Sequence, residues 1–280
     1  MIIQILQWLP EFKGKTTICR WLLRNYTKDK KDVVISAGLG LSYKVPNFIE
    51  PIGFSILING AHEPETSDFI SKSIRSNGVF MDIGANIGAI TLPVCRKRPD
   101  LQLLCIEASP KVFTYLNQNV RMNKLDNCIL VNKAISDVDG QTVSFFSPPD
   151  QHGKGSLTPV FTDKAESVVT TTVDTLLGEH QIDSVDFIKI DIEGYEYYAF
   201  KSAEQLLRRK DAPVILFEFI DWAESHARNL TPGDAQRVLM DFGYSIYVFK
   251  DGKPQGEPLE KPITDKGLIM LFATKTGLPL

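Results

Sequence analysis

Val79-Phe-Met-Asp-Ile-Gly-Ala-Asn-Ile-Gly88 is an apolar run that breaks into an acidic, glycine-rich turn. Val79 to Met81 predict a buried parallel strand, and Ile87 onward predicts a helix. Gly84 and Gly88 stand in the turn between them, where glycine permits positive φ and lets a ligand approach the main chain closely. Amides at a helix start carry partial positive charge and suit a carboxylate or phosphate, while Asp82 offers an acceptor to a cation. Working outward, Leu103 to Ile106 is a second apolar run, one crossover later, ending at Glu107. In nucleoside-binding α/β folds an acidic residue at that strand end binds the ribose hydroxyls.

The dinucleotide fingerprint Gly-x-Gly-x-x-Gly is missing, since position 86 is Asn. Amide donors beside a carboxylate suit a zwitterion, such as the amino-acid end of S-adenosylmethionine, better than a pyrophosphate.

Beyond residue 78 strand-like and helix-like stretches alternate, which predicts a mainly parallel sheet covered on both faces. Pro110 to Asn123 reads as a helix capped by Ser109 and Cys128 to Ile135 as the third strand. Thr142 to Phe146 and Val168 to Val173 read as further strands. The Pro/Gly/Ser-rich stretch Ser147 to Asp163 between them is long enough for a functional lid. Ser184 to Ile190 is the fourth main strand, Glu196 to Arg209 a helix, and Pro213 to Phe217 the fifth strand with Glu218 at its end. Thr231-Pro232 opens a helix that stops at Gly243. Tyr244 to Phe249 and Leu268 to Thr274 have no helix between them, which permits an antiparallel pair. Upstream, Val33 to Ser36 and Ser55 to Ile58 read as short strands and Ser67 to Ser76 as a helix. The division expected is an N-terminal extension over 1–77 and a nucleoside-binding domain over 78–280.

A chain of 280 residues with net charge −3 and no long basic block does not suit nonspecific nucleic-acid binding. Cys19, Cys95, Cys105 and Cys128 show neither Cys-x-x-Cys nor His at metal spacing and read as reduced thiols. The N-terminus has no basic leader region, and no apolar stretch reaches the ~18 residues of a membrane span. The expected location is cytoplasmic. Trp8, Trp21, Leu22 and Leu23 interleave with Lys13, Lys15, Arg20 and Arg24. Packing of this segment on the main domain is the favoured reading, with peripheral contact to a membrane surface as the alternative.

With these residues on the page, the chain resembles the FkbM family of class I, seven-stranded S-adenosylmethionine-dependent methyltransferases. The resemblance is carried by DIGANIG at 82–88, IEASP at 106–110, VVTTTVDTLL at 168–177, DFIKIDIEGYE at 186–196 and Glu218. It covers about residues 60 to 220, and the segment Pro51 to Thr66 agrees more loosely. It implies a doubly wound Rossmann-like sheet with a terminal antiparallel strand. It also implies O-methylation of a hydroxyl on a sugar or secondary metabolite, with a small molecule or glycan as acceptor. By resemblance, the backbone from Gly84 through Ala85 and Asn86 to Gly88 holds the methionine end of the co-substrate, with Asp82 near its amino group. Glu107 binds the ribose, Ala108 next to it belongs to the co-substrate site, and Ala134, Ile135, Ser136 and Asp137 lie toward the adenine. Asp191 faces both the sulfonium and the acceptor.

Methyl transfer from a sulfonium needs alignment, and an alkyl hydroxyl needs a base. Asp191, Glu193, Glu218 and His152 are the candidates, His152 because it lies in the lid and titrates near neutrality. His62, His180 and His226 have no motif support. Mg²⁺ at Asp191 and Glu218 is a less favoured option. Three other functions are weighed: a nicotinamide oxidoreductase, disfavoured by the missing fingerprint; a base methylase, disfavoured because Asp-Ile-Glu-Gly follows the fourth strand; and a non-catalytic binding protein of the same fold.

Overall fold

The structure, a computed structural model, describes residues 2–10, 12–151 and 153–278. The chain opens with helices α1 (Ile2–Trp8), α2 (Lys15–Leu22) and α3 (Arg24–Thr27), then a hairpin of β1 (Val33–Ser36) and β2 (Ser42–Val45). Helices α4 (Pro51–Asn59) and α5 (Pro64–Ser73) lead into β3 (Val79–Ile83), α6 (Thr91–Lys97), β4 (Gln102–Ile106), α7 (Pro110–Met122) and β5 (Cys128–Val131). A small sheet follows, from β6 (Ala134–Ile135), β7 (Thr142–Phe146) and β8 (Ala165–Thr171). The chain then forms α8 (Val173–Glu179), β9 (Phe187–Ile190), α9 (Glu196–Ser202), α10 (Glu204–Leu207), β10 (Val214–Ile220), α11 (Asp221–Glu224) and α12 (Asp234–Asp241). It closes with β11 (Ser245–Lys250), β12 (Lys253–Gln255) and β13 (Leu268–Thr274).

The main sheet has the order β12-β11-β13-β10-β9-β3-β4-β5. From β10 to β5 every pairing is parallel, and β13 inserts antiparallel between β10 and β11. The seven strands expected are therefore present, with β12 added as a short hairpin edge. Parallel strands must bury both faces, and alternate residues do so. Phe80, Leu103 and Cys105 enter the core shared with α4 to α7, while Met81, Ile83, Leu104 and Ile106 enter the core under α8 to α12. The chain order reverses between β3 and β9, so the carboxyl ends of these two neighbours form the switch point where open α/β sheets bind ligands.

Several local expectations change. Ser55 to Ile58 lies within helix α4, with Pro51 at its first position and left-handed Gly60 closing it. A four-residue apolar run fits a buried helix as well as a strand. The run Cys128 to Ile135 divides, because Asn132 turns out of the sheet and its amide donates to the Glu107 and Ala108 carbonyls. Ala134 and Ile135 then pair with Thr170 and Thr171 in the small sheet. The stretch Val168 to Val173 ends as a strand at Thr171, and Thr172 caps α8. Glu196 to Arg209 divides into α9 and α10 at Ala203. Glu218 lies inside β10, not at its end, opposite Met270. The helix after the glycine-rich turn begins at Thr91, not Ile87.

Candidate active site

The Gly84–Gly88 turn is held by its own backbone. The Gly84 and Ala85 amides both donate to Ile106 O, and Gly88 N donates to Ala85 O. Asn86 is left-handed at φ 52°, and its side-chain oxygen accepts Ile87 N at 2.8 Å, a local bond of the kind Asx residues make. Asn86 N donates to Glu107 Oε2 at 2.9 Å. These amides therefore serve the fold, and because α6 starts later, no helix N-terminus follows Gly88 directly. This corrects the reading in which they are free donors for a ligand. Gly84 has φ 81° and packs so tightly that an added Cβ would collide with the Asp191 carbonyl oxygen. At Gly88, φ 86°, a Cβ would strike the Leu92 and Leu116 side chains, so this glycine serves packing.

Beside the turn lies a cleft open to solvent. Among the expected residues, Asp82, Gly84, Ala85, Asn86, Glu107, Ala108, Ile135 and Asp191 line it. Gly88, Ala134, Asp137, Glu193 and Glu218 do not. Ala134 packs in a small core with Phe145 and Val168, and Asp137 pairs with Arg228 at 3.4 Å. His152 lies outside the described residues. The long loop reaches the cleft through Gly153 and Gly155. It is tied down where Ser156 Oγ donates to Glu193 O at 2.9 Å and Gly153 N to Glu50 Oε2 at 3.3 Å.

Two carboxylates are preset. Glu107 is buried and accepts Asn86 N on Oε2 and Ser109 N on Oε1, both at 2.9 Å. Burial pushes its pKa up to about 7 against the pull of these two amides. Asp82 is buried, and its Oδ2 accepts the Thr91 hydroxyl at 2.5 Å while Oδ1 has no hydrogen-bond partner. Lys189 Nζ lies 3.8 Å from that oxygen and 3.2 Å from Asp191 Oδ2. Burial disfavours the Lys189 ammonium, but Asp191, Asp82 and Glu63 outweigh it and hold its pKa above the ordinary lysine range.

Because Phe217 pairs with Ile190, Glu218 comes level with Asp191. Asp191, Glu193 and Glu218 each place a carboxylate oxygen within 4.8 Å of the others, a set of hard oxygen donors able to hold a divalent cation. Burial and then mutual repulsion raise the pKa of both Glu193 and Glu218. Glu196 accepts Ile192 N at 3.1 Å and braces the turn.

His62 and Glu63 are the residues the motifs did not single out. Both line the cleft, 3.7 Å apart from Nε2 to Oε1. Burial lowers the His62 pKa, Glu63 and Asp191 raise it, Lys189 lowers it, and the net shift is downward. The pair lies at the start of α5, in the segment Pro51 to Thr66 that resembles the family only loosely, and that agreement was its one signal in the sequence.

The model of the FkbM methyltransferase domain matches residues 82–245, more than half of the chain. The chain belongs to the FkbM methyltransferase family. This FkbM-family protein is also 28% identical over 170 residues to the 2-O-methyltransferase NoeI of Sinorhizobium fredii, covering 54% of this chain and 69% of NoeI. Among solved structures it is similar to the precorrin-6y C5,15-methyltransferase of Geobacter metallireducens, with 14% identity, TM-score 0.46, and 76% and 88% of the two chains covered. It is also similar to M. jannaschii TYW2 in complex with AdoMet, with 13% identity, TM-score 0.43, and 87% and 86% covered. By its membership of the FkbM methyltransferase family, the chain is an S-adenosylmethionine-dependent methyltransferase, with S-adenosylmethionine as co-substrate.

The donor set of the cleft suits that co-substrate. An ammonium group would supply the hydrogen bond that Asp82 Oδ1 lacks beside Lys189, and the Glu107 oxygens keep lone pairs free for two hydroxyls. The same residues offer a pyrophosphate nothing but negative charge.

Proposed function

We propose that this methyltransferase methylates a hydroxyl oxygen of a small-molecule or glycan acceptor, a sugar or secondary metabolite, with His62 as the general base. The observation that carries the reading is the meeting of a half-buried histidine of lowered pKa with the Asp191 side of the cleft. Bound S-adenosylmethionine supplies a methyl group already activated on a sulfonium. The remaining task is to align the acceptor and take its proton, because an alkyl hydroxyl is a poor nucleophile until the proton leaves. Burial and Lys189 keep the imidazole neutral and able to accept, and Glu63 stabilises the imidazolium that forms.

Asp82 and Glu107 hold the two polar ends of the co-substrate. Gly84, Ala85 and Asn86 shape the floor and Ala108 and Ile135 wall the nucleoside side, while Gly88, Ala134 and Asp137 lie outside the cleft. Asp191, which lines the cleft with Glu193 and Glu218 grouped beside it, accepts a hydrogen bond from a further hydroxyl of the acceptor, which a polyol supplies. The similarity to an enzyme named as a 2-O-methyltransferase supports the choice of oxygen.

The test incubates purified protein with methyl-deuterated S-adenosylmethionine and a panel of sugars, glycans and polyols. A product with a labelled methyl ether is expected. Label found only on nitrogen or carbon acceptors would overturn the oxygen assignment.

A further inference from the structure

Eight of the eighteen exposed large hydrophobic side chains among the described residues fall within residues 2–22. Each of the first two helices turns one face inward onto α4. In α1 that face is Ile3, Leu6 and Gln7, with the Gln7 amide donating to Ser36 O and Leu57 O. In α2 it is Lys15 and Cys19, and the buried Lys15 ammonium donates to Leu9 O at 2.7 Å, locking the end of α1 to the start of α2. Packing on the domain, the favoured reading of this segment, is therefore seen. The outward faces are the surplus. Ile2 and Ile5 on α1, and Ile18, Trp21 and Leu22 on α2, are spaced three or four residues apart and exposed. Trp8 is 92% and Trp21 70% exposed. Packing the domain does not require two indoles in water.

The charge around this face is mainly basic. Residues 1–31 hold seven Lys and Arg against two Asp and Glu, in a chain whose net charge is −3. Arg20, Arg24 and Lys28 line one shallow surface depression with Asn25 and Thr27, and no carboxylate shares it. Arg20 is fixed there by its bond to Phe48 O at 3.2 Å and by stacking 4.3 Å over Phe54.

We propose that the α1–α2 face docks on an anionic lipid surface. Trp8, Trp21 and the aliphatic side chains enter the headgroup boundary, and Lys13, Arg24 and Lys28 meet lipid phosphates. Aromatic and aliphatic side chains flanked by Lys and Arg are the composition that settles at such a boundary, and basic residues near an anionic leaflet strengthen it. A second copy of the chain is the poorer occupant, because a two-fold pairing sets the same patch against itself and brings like charges together. The docked face and the reaction cleft share α4, since Ile52 of α4 lines the cleft. The docking rests on the surface alone and not on the acceptor assigned above.

The full chain is mixed with vesicles of phosphatidylcholine and of phosphatidylcholine with phosphatidylglycerol, then sedimented. Binding at least ~10-fold stronger to the anionic vesicles is expected, falling as salt rises, with a blue shift of tryptophan emission. The doubly substituted W8A/W21A chain, which keeps only Trp222, should lose at least ~10-fold of the binding and show no shift, while its S-adenosylhomocysteine affinity by calorimetry is unchanged. No sedimentation of the wild-type chain, or equal binding by W8A/W21A, overturns the proposal. So does light scattering that shows a dimer abolished by W8A/W21A without vesicle binding.

Discussion

Asp82 and Lys189 are register partners on adjacent parallel strands, both buried, with Nζ 3.8 Å from a carboxylate oxygen that has no hydrogen bond. The lysine answers Asp82 on one side and Asp191 on the other. Removing one partner of a buried pair leaves the other uncompensated and costs about 3–5 kcal/mol. Lys189→Met should therefore lower the melting temperature by about 10 °C. The double variant with Asp82→Asn should recover part of that loss. An unchanged melting curve for Lys189→Met would show that the charges are solvated.

Glu107 joins the turn to the second strand end, with one oxygen on Asn86 N and one on Ser109 N. Glu107→Gln turns an amide NH₂ against one of these donors and removes the charge proposed to face the ribose. S-adenosylhomocysteine affinity measured by calorimetry should fall at least ~10-fold, with a stability loss of about 1–3 kcal/mol. Affinity within twofold of wild type would take the ribose role from Glu107.

If His62 is the base, its neutral form is the active one. The initial rate should then rise with pH along a limb below the ordinary histidine range, because the folded pKa is lowered. His62→Gln should remove that limb and slow turnover ~10²–10⁴-fold, with S-adenosylhomocysteine affinity nearly unchanged. A variant that keeps the limb would move the base to the Asp191, Glu193 and Glu218 group.

Gly84→Ala places a Cβ against the Asp191 carbonyl at φ 81°. Left-handed strain alone costs about 1–3 kcal/mol, and the backbone contact adds to it. Loss of soluble yield, or a melting temperature lowered by at least about 5 °C, is expected. Asn86→Gly relieves a positive φ at 52° but loses the bond to Ile87 N, so it should change stability far less.

Burial raises Glu107 and Glu224 to about 7 and Glu196 to about 8. A carboxyl raised in the folded state holds its proton more tightly there than when unfolded. Its stabilising contribution is complete below the ordinary carboxylate range and disappears as pH rises through the folded value. His62, lowered, acts in the opposite direction, but only below about 6.5. The melting temperature should therefore fall between pH 6.5 and 8.5, by at least about 2 °C. A rise over this interval would show these carboxyls to be ionised at little cost.

The alternation of apolar strands and crossovers, the acidic residues at the ends of β3 and β4 and the Asp191–Gly194 turn were legible because they are local patterns. Each strand announces itself by a run, and each turn by glycine beside a carboxylate. Part of helix α4 reads as a strand because four apolar residues carry no periodicity. Helix α6 reads as starting at Ile87 because nothing local marks Ile87 to Ile90 as a turn.

Which amides are free could not be read from the turn. It depends on Ile106 O and Glu107, about twenty residues away, arriving at hydrogen-bond distance. The place of His62 in the cleft is hidden for the same reason: it has no motif, and only the packing of α4 and α5 against the sheet carries it to the Asp191 side of the cleft. Residue order alone determined the parallel sheet and the acidic strand ends, because these follow from hydrophobic pattern and backbone chemistry. Only the tertiary structure decided which donors the fold consumes, which carboxylates repel one another and which histidine faces the cleft, because those depend on distances between segments that the chain must first bring together.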